Sequence, residues 1–237
     1  MTNQKQGVSA LGLQRVLGLG SYQTAWTRLH RFRRAMVRPG REQLKGQVEV
    51  DETYLAITDR QTPISPVGRK GKTTKIQIAI AVETQQPKGF GRIRLRRINN
   101  DSAACVIPFV QDVVEPGAHV HTDGSAAYLT LGELGYTHQR TVMLGSDVPA
   151  HVSMAAVHRV AALVQRWILG THHGSVQPEH LDAYLDEFVF RFNRRTSNWR
   201  GMLFYRLLQQ AVATQPVTYA QVASRTKPAK RKTKPKA

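Results

Sequence analysis

A single cysteine, Cys105, occurs in 237 residues. That excludes an internal disulfide framework and any cysteine-based zinc finger within them, and it points to a reducing compartment, the cytoplasm. Cys105 lies in an apolar stretch and reads as a small core residue. No apolar run approaches the roughly 18 residues of a membrane-spanning helix. The opening MTNQKQGVSALG lacks the apolar centre of a secretory signal. No segment pairs a basic helical face with a broad apolar one, so a membrane is not the expected partner. Acids are scarce as well: 16 Asp and Glu stand against 34 Lys and Arg, a formal charge of +18.

Part of that excess is local. From Arg225 onward, RTKPAKRKTKPKA carries seven basic residues and no acid, and it reads as a disordered basic arm. Subtracting it leaves the body at +11 (18 − 7), so the folded part is basic in its own right and suits a polyanion. A hydrophobic content of 41% is enough for a real core.

Residues 8–37 read as two helices around a glycine-rich break. Ala10, Leu11, Leu13, Val16 and Leu17 make a first apolar face, and Gly18 and Gly20 interrupt it. Ser21 is positioned to cap a second helix to about Met36, with Ala25, Trp26, Leu29, Phe32 and Met36 inward and Arg28, Arg31, Arg33 and Arg34 outward. This is the outline of a helix-turn-helix, and equally of an ordinary helical hairpin with a charged face.

After Pro39-Gly40 the period changes to alternation. Val48 and Val50 share one strand face; Glu49, Asp51 and Thr53 share the other. A basic loop over 59–74 leads to a strand with Ile76, Ile78, Ile80 and Val82, and a turn near Pro87-Lys88-Gly89 leads to a third in which Ile93 and Leu95 alternate with Arg92, Arg94 and Arg96. A helix capped at Asp101 runs to Val114, a strand over Ala118–Asp123 follows, then a helix over Ser125–Leu134 and a strand over Thr137–Leu144. A helix from Val152 to Leu169, ended by Gly170, carries a stripe through Val157, Val160, Val164 and Trp167. Pro178 opens another, striped by Leu181, Tyr184, Leu185, Phe188 and Val189, and a last helix covers Arg200–Ala213. Strands and helices in this order predict an α/β domain, a mixed sheet with helices on its faces.

Two acids stand out by position. Asp51 sits within a strand, and Asp123 ends one just before Gly124. Carboxylates brought together by a mixed sheet can hold a divalent cation that prefers hard oxygen ligands. Taken singly, each also reads as a solvent-facing or turn residue. Glu49, Glu52 and Asp186 are weaker candidates, and His172-His173 reads as a pair making DNA or capping contacts.

The stretches VEVDETY (48–54), GRIRLRRI (91–98), HTDGSAAY (121–128), VHRVAALVQRWILGTHHG (157–174) and YLDEFVFRFNRR (184–195) closely resemble the ISXO-like insertion-sequence transposases, in order and over residues 7 to 213. The resemblance implies a DDE-type enzyme with an RNase H-like domain: a five-stranded mixed sheet flanked by helices over 46–213, a helix-turn-helix-like DNA-binding segment over 1–40 and a basic tail over 214–237. It implies that Asp51 and Asp123 are the first two catalytic, metal-holding acids, with His158 in VHRV at a third position where relatives carry Glu, Asn or His. It further implies two ions of Mg²⁺ or Mn²⁺, with Asp51 shared between them, and phosphoryl transfer on double-stranded DNA at the element's terminal inverted repeats and at a target. A homo-oligomer would pair the ends.

The chain departs from the family pattern in three places. Gln165 stands where relatives often have lysine, Ser125-Ala126-Ala127 replaces a bulky aromatic after the glycine, and no Cys-x-x-Cys supplies the zinc ribbon of longer relatives, so a shortened copy or an upstream start is expected. Glu187 is a further candidate, since some relatives use an acid there, and Gln165 is an accessory one. Arg28, Arg31, Arg34, Arg92, Arg94, Arg96, Arg194 and Arg195 are the candidate phosphate contacts; for each, a solvated charged face is the plainer reading. Two other functions fit the composition: a transposase-derived DNA-binding protein that no longer cuts, and a non-enzymatic nucleic-acid-packaging protein.

Overall fold

The computed structural model describes residues 7–38, 40–58, 73–85, 89–142 and 153–223. Helices α1 (Ala10–Val16) and α2 (Tyr22–Ala35) precede the strands β1 (Gln47–Thr58), β2 (Thr73–Thr84) and β3 (Phe90–Arg97). Then come α3 (Ala103–Val113), β4 (His119–Asp123), a 3₁₀ turn (Ala126–Leu131), β5 (Thr137–Thr141), α4 (Ala155–His172), α5 (Leu181–Phe192), α6 (Arg200–Ala213) and α7 (Tyr219–Ala223). The strands form one sheet in the order β3-β2-β1-β4-β5. β2 runs antiparallel to both neighbours, and β1, β4 and β5 are mutually parallel, so the sheet is mixed as expected.

β2 sits inside this order because it is apolar on both faces. Ile76, Ile78, Ile80 and Val82 join Leu55, Ile57, Ile93 and Leu95 under Val157, Val160, Val164 and Ile168 of α4 and Leu181, Leu185 and Val189 of α5. On the opposite face, the small Ala79 and Ala81 with Val48, Val50 and Val120 receive Val106, Phe109 and Val110 of α3 and Tyr128 of the 3₁₀ turn. The outer edge of β3 is closed by a side chain: Ile93 donates its N–H to Asn193 Oδ1 at 2.7 Å, and Asn193 Nδ2 donates to the Ile93 carbonyl at 3.2 Å. An edge covered this way cannot recruit another strand.

Several expectations are corrected. The 125–134 segment is only a 3₁₀ turn, with Tyr128 and Leu131 inward at the three-residue spacing such a turn requires. Gly170 does not end α4; packing of Trp167, Ile168 and His172 carries the helix on to His172, and His173 stops it at φ 51. α3 is preceded by Ser102 at the cap position, not Asp101, and β5 ends at Thr141. α1 touches α2 along one side only, burying Ala10 and leaving Leu11, Val16 and Leu17 exposed. Part of the expected tail is ordered, since α7 sets Tyr219 6.4 Å from the Trp26 ring. The basic loop over 59–72, the turn at 86–88 and the arm from 224 onward lie outside the described residues.

Where α2 meets α4 and α5, histidines and aromatics interlock. His30 lies 4.1 Å from Trp26, 5.2 Å from His180 and 5.5 Å from Tyr184, and His172 lies 4.7 Å from Tyr184 and 4.9 Å from Trp167, ring to ring. Burial, reinforced by Arg33, pushes His30 down to about 2 and His172 down to about 3. Both are therefore neutral in the fold, whereas the unfolded chain protonates them near pH 6.5. The unfolded state binds more protons below that pH, so stability falls as pH drops from about 6.5 towards the folded values. His30→Phe is expected to remove one such proton from the balance. Relative to wild type it should lose about 1.4 kcal/mol less per pH unit between pH 6 and 4. Denaturant melts of the two proteins across that range check it; parallel stability curves would refute the assignment.

Candidate active site

β1 directs Glu49, Asp51 and Thr53 to the face that α4 covers. β4 lies alongside in parallel, with Glu49 opposite His121 as the last paired rung. Two residues further, the same register brings Asp123 abreast of Asp51, where the strands have ceased to pair. Carboxyl ends of parallel strands that part in this way leave a crevice open to a ligand.

His158, in the first turn of α4, places Nδ1 4.0 Å from Asp51 Oδ2. The other Asp51 oxygen accepts the Glu52 N–H at 2.8 Å. Burial pushes the Asp51 carboxyl up; that N–H and His158 oppose the shift, while Asp123 and Glu49 add to it. Asp123 Oδ1 accepts the Ser125 N–H at 3.0 Å, fixing the acid across the turn at Gly124. Gly124 lets the chain pass close to the end of β5, where a Cβ would stand 3.2 Å from the Val142 Cα and press on it.

Two side chains that the sequence offered only as minor candidates, Glu49 and Gln165, organise this arrangement. The α4 N-terminus has no acid in its first turn and no side-chain cap of its own; instead Val157 donates its N–H to Glu49 Oε2 at 2.8 Å. A carboxylate at a helix N-terminus meets both its unpaired N–H groups and its dipole. Gln165 holds the same helix further along, donating from Nε2 to Thr53 Oγ1 at 3.0 Å and to the Tyr54 carbonyl at 3.2 Å. His158 lies between these two attachments. The only sequence signal for Glu49 was its shared face with Asp51.

Glu49→Ala is expected to cost about 1–2 kcal/mol and to speed hydrogen exchange in the first turn of α4. Unchanged exchange at Val157 and His158 would contradict the capping role.

Glu52 points the other way, to the α3 face, and accepts a short hydrogen bond from the hydroxyl of fully buried Tyr128. Burial, with Asp51 and Asp123 adding, pushes Glu52 up to about 7 against the opposing Tyr128 bond. Glu187 is not beside these acids: it forms a fully buried pair with Arg33 of α2, Nε to Oε2 at 2.8 Å. Arg33 was expected outward, but its place four residues after Leu29 sets it on the buried stripe.

The candidate phosphate contacts divide. Arg28, Arg31 and Arg34 are exposed along α2. Arg92 is paired with Glu83 and Glu42, and Arg96 with Asp112. Arg94 is buried and donates to the Ile93 and Glu42 carbonyls, while Arg194 and Arg195 donate to main-chain carbonyls and lie over Phe190 and Phe192. His172 is the last residue of α4, within the aromatic junction, and His173 is its left-handed stop.

Among the described residues no three acidic, histidine or cysteine side chains stand close enough to enclose an ion as they are. The donor set is nonetheless suited to a divalent cation. Asp123 lies abreast of Asp51 by strand register, His158 stands 4.0 Å from Asp51, and the half-buried Asp51 gains from added positive charge. Among the described residues no helix is long and apolar enough to cross a membrane.

Sheet order, strand directions and flanking helices give an RNase H-like α/β domain with a mixed five-stranded sheet. The chain belongs to the ISXO2-like transposase domain family, whose pattern matches residues 43–193. No curated protein matches the chain. Among solved structures it is similar to the catalytic core domain of BIV integrase, at 14% identity and TM-score 0.39, over 71% of this chain and 97% of that one. It is also similar to the Mos1 strand transfer complex, at 14% identity and TM-score 0.35, over 88% of this chain and 74% of that one. The Mos1 mariner paired end complex with Mn matches at 14% identity and TM-score 0.33, over 90% and 81%.

Proposed function

We propose that this chain cuts and rejoins DNA phosphodiesters at insertion-sequence ends, with Asp51, Asp123 and His158 carrying the chemistry. The observation that supports this most is a half-buried strand acid with an imidazole 4.0 Å away and a strand-end acid abreast of it in register, in a member of a transposase family. Two ions of Mg²⁺ or Mn²⁺ held by these three side chains would supply charge neutralisation at the phosphate and activation of the attacking water or 3′-hydroxyl. The chain's own residues set the stage. Glu49 and Gln165 hold the helix that presents His158, and Ser125 holds one oxygen of Asp123. Glu52, raised to about 7, is in part protonated at neutral pH, which lowers the negative charge next to Asp51.

In this reading α1 and α2 recognise the terminal repeats through Arg28, Arg31 and Arg34. The segment over 1–40 serves as a helix-turn-helix-like reader, 46–213 as the catalytic domain and the basic stretch after 223 as an auxiliary arm. Two or more copies pair the element's ends on cytoplasmic, nucleoid DNA. The test uses duplexes built from the DNA flanking the chain's own coding sequence, with Mg²⁺ or Mn²⁺, against Asp51→Ala and Asp123→Ala. Wild type cuts and joins while the variants bind without cutting. If all three bind alike and none cuts, the enzymatic reading is lost; binding without sequence preference would favour a packaging role.

A further inference from the structure

A second concentration of charge lies away from the acids, at the β3 edge. A cleft of about 340 Å³ opens between the link from α2 to β1, the middle of β3, the C-terminal half of α5 and the middle of α6. Arg38, Arg41, Arg92, Arg94, Arg194 and Arg206 line it, against two acids, Glu42 and Asp186. Those acids do not neutralise it. Arg92 is engaged with Glu83 and Glu42, and Arg38 shares the exposed Glu42 at 3.1 Å. Arg41 reaches Asp186 only at 3.9 Å. Arg94 and Arg194 have main-chain carbonyls rather than carboxylates as partners. Arg206 is exposed, with no ion pair among the described residues.

The guanidinium groups press on one another. Arg94 is pushed down to about 10, chiefly by burial and then by Arg41 and Arg92; Arg194 is pushed down by burial, Arg206 and Arg38. Like charges drawn together from four separate segments weaken a fold unless an anion joins them, and planar guanidinium forks match phosphate oxygens.

We propose that this cleft holds a backbone phosphate of duplex DNA, as an anchoring site separate from the Asp51–Asp123 crevice. The proposal rests on DNA being this chain's partner. Arg94 lies opposite Ala81, which lies opposite Val50, the neighbour of Asp51. The two rungs lie two strand spacings apart, roughly 10 Å, with Arg94 on the face of the sheet that α3 covers and Asp51 on the face that α4 covers.

The test measures duplex affinity against salt for wild type, Arg38→Gln/Arg206→Gln and Arg38→Lys/Arg206→Lys, with deoxyadenosine monophosphate titrated in parallel. The glutamine variant is expected to lower the slope of log K against log salt by about 0.9, the value for one lost phosphate contact. The lysine variant keeps most of the slope, which separates loss of charge from loss of fold. An unchanged slope in the glutamine variant overturns the proposal, as does a wild type that binds no duplex. Loss of mononucleotide binding with the duplex slope intact makes this a small-anion site and also overturns it. Cutting is scored in the same samples. If wild type cuts and the slope is unchanged, the cleft alone fails; if wild type does not cut and the slope falls, the cleft stands and the enzymatic reading fails.

Discussion

Glu187→Ala is expected to lower folding stability by about 3–5 kcal/mol, the cost of leaving a buried charge without its partner. In a chain of this size that is a fall in Tm of roughly 10 °C. Glu187 is 0% exposed and Arg33 1%, and the guanidinium is enclosed by the Tyr184 ring, 3.8 Å from its centroid. Water cannot replace the lost carboxylate. Gly7 closes the site from the other side; a Cβ there would stand 2.8 Å from Glu187 Oε1, and φ is +77°.

The pair is nevertheless poorly satisfied, because Arg33 Nη1 and Glu187 Oε1 have no partner among the described residues. An apolar replacement of both, Arg33→Met with Glu187→Met, is therefore expected to recover most of what the single change loses. Urea denaturation of the single and double variants decides this. A Glu187→Ala loss below about 1 kcal/mol would show that the site rehydrates, and a double variant no better than the single would show that the pair itself stabilises.

Asp51→Asn is expected to separate activity from stability, abolishing cutting by roughly 10³-fold or more while raising Tm. The sign follows from the raised folded pKa of Asp51, whose main cause is burial. The folded state holds its proton to higher pH than the unfolded state does. Stability therefore declines as pH rises through the ordinary carboxylate range, and at neutral pH the charged side chain opposes folding. Asparagine removes that charge and its Oδ1 still accepts the Glu52 N–H. Mg²⁺ or Mn²⁺ should raise the wild-type Tm and leave that of Asp51→Asn unchanged. Thermal melts at pH 7.5 with and without the ion, beside the cutting assay, measure all three effects. A variant less stable than wild type would mean that Asp51 contributes structure and not strain.

The strands were legible because alternation is a local signal: Ile76 to Val82 needed only their own spacing to form β2. The arginines of β3 show the limit of that signal. Alternation sets Arg92, Arg94 and Arg96 on one face but does not say what covers it. The link from α2 and the α3 helix close over that face and bury Arg94. Arg33 and Glu187 lie 154 residues apart, and no local period announces such a pair. His158 was found only through a motif, since a histidine early in an amphipathic helix is otherwise ordinary. Glu49 ranked only among the weaker candidates because its partner is a main-chain N–H, which leaves no trace in composition.

That last contact couples two faults that would otherwise be independent. The carboxylate ending the helix stands two residues from Asp51 on the same strand, and the helix it ends begins with the turn that bears His158. A one-residue slip of β1 would turn Glu49 and Asp51 to the opposite face together, leaving α4 frayed and His158 without its neighbour. A misregistered molecule thus exposes itself as a loosened helix end, open to proteases, before it ever meets DNA.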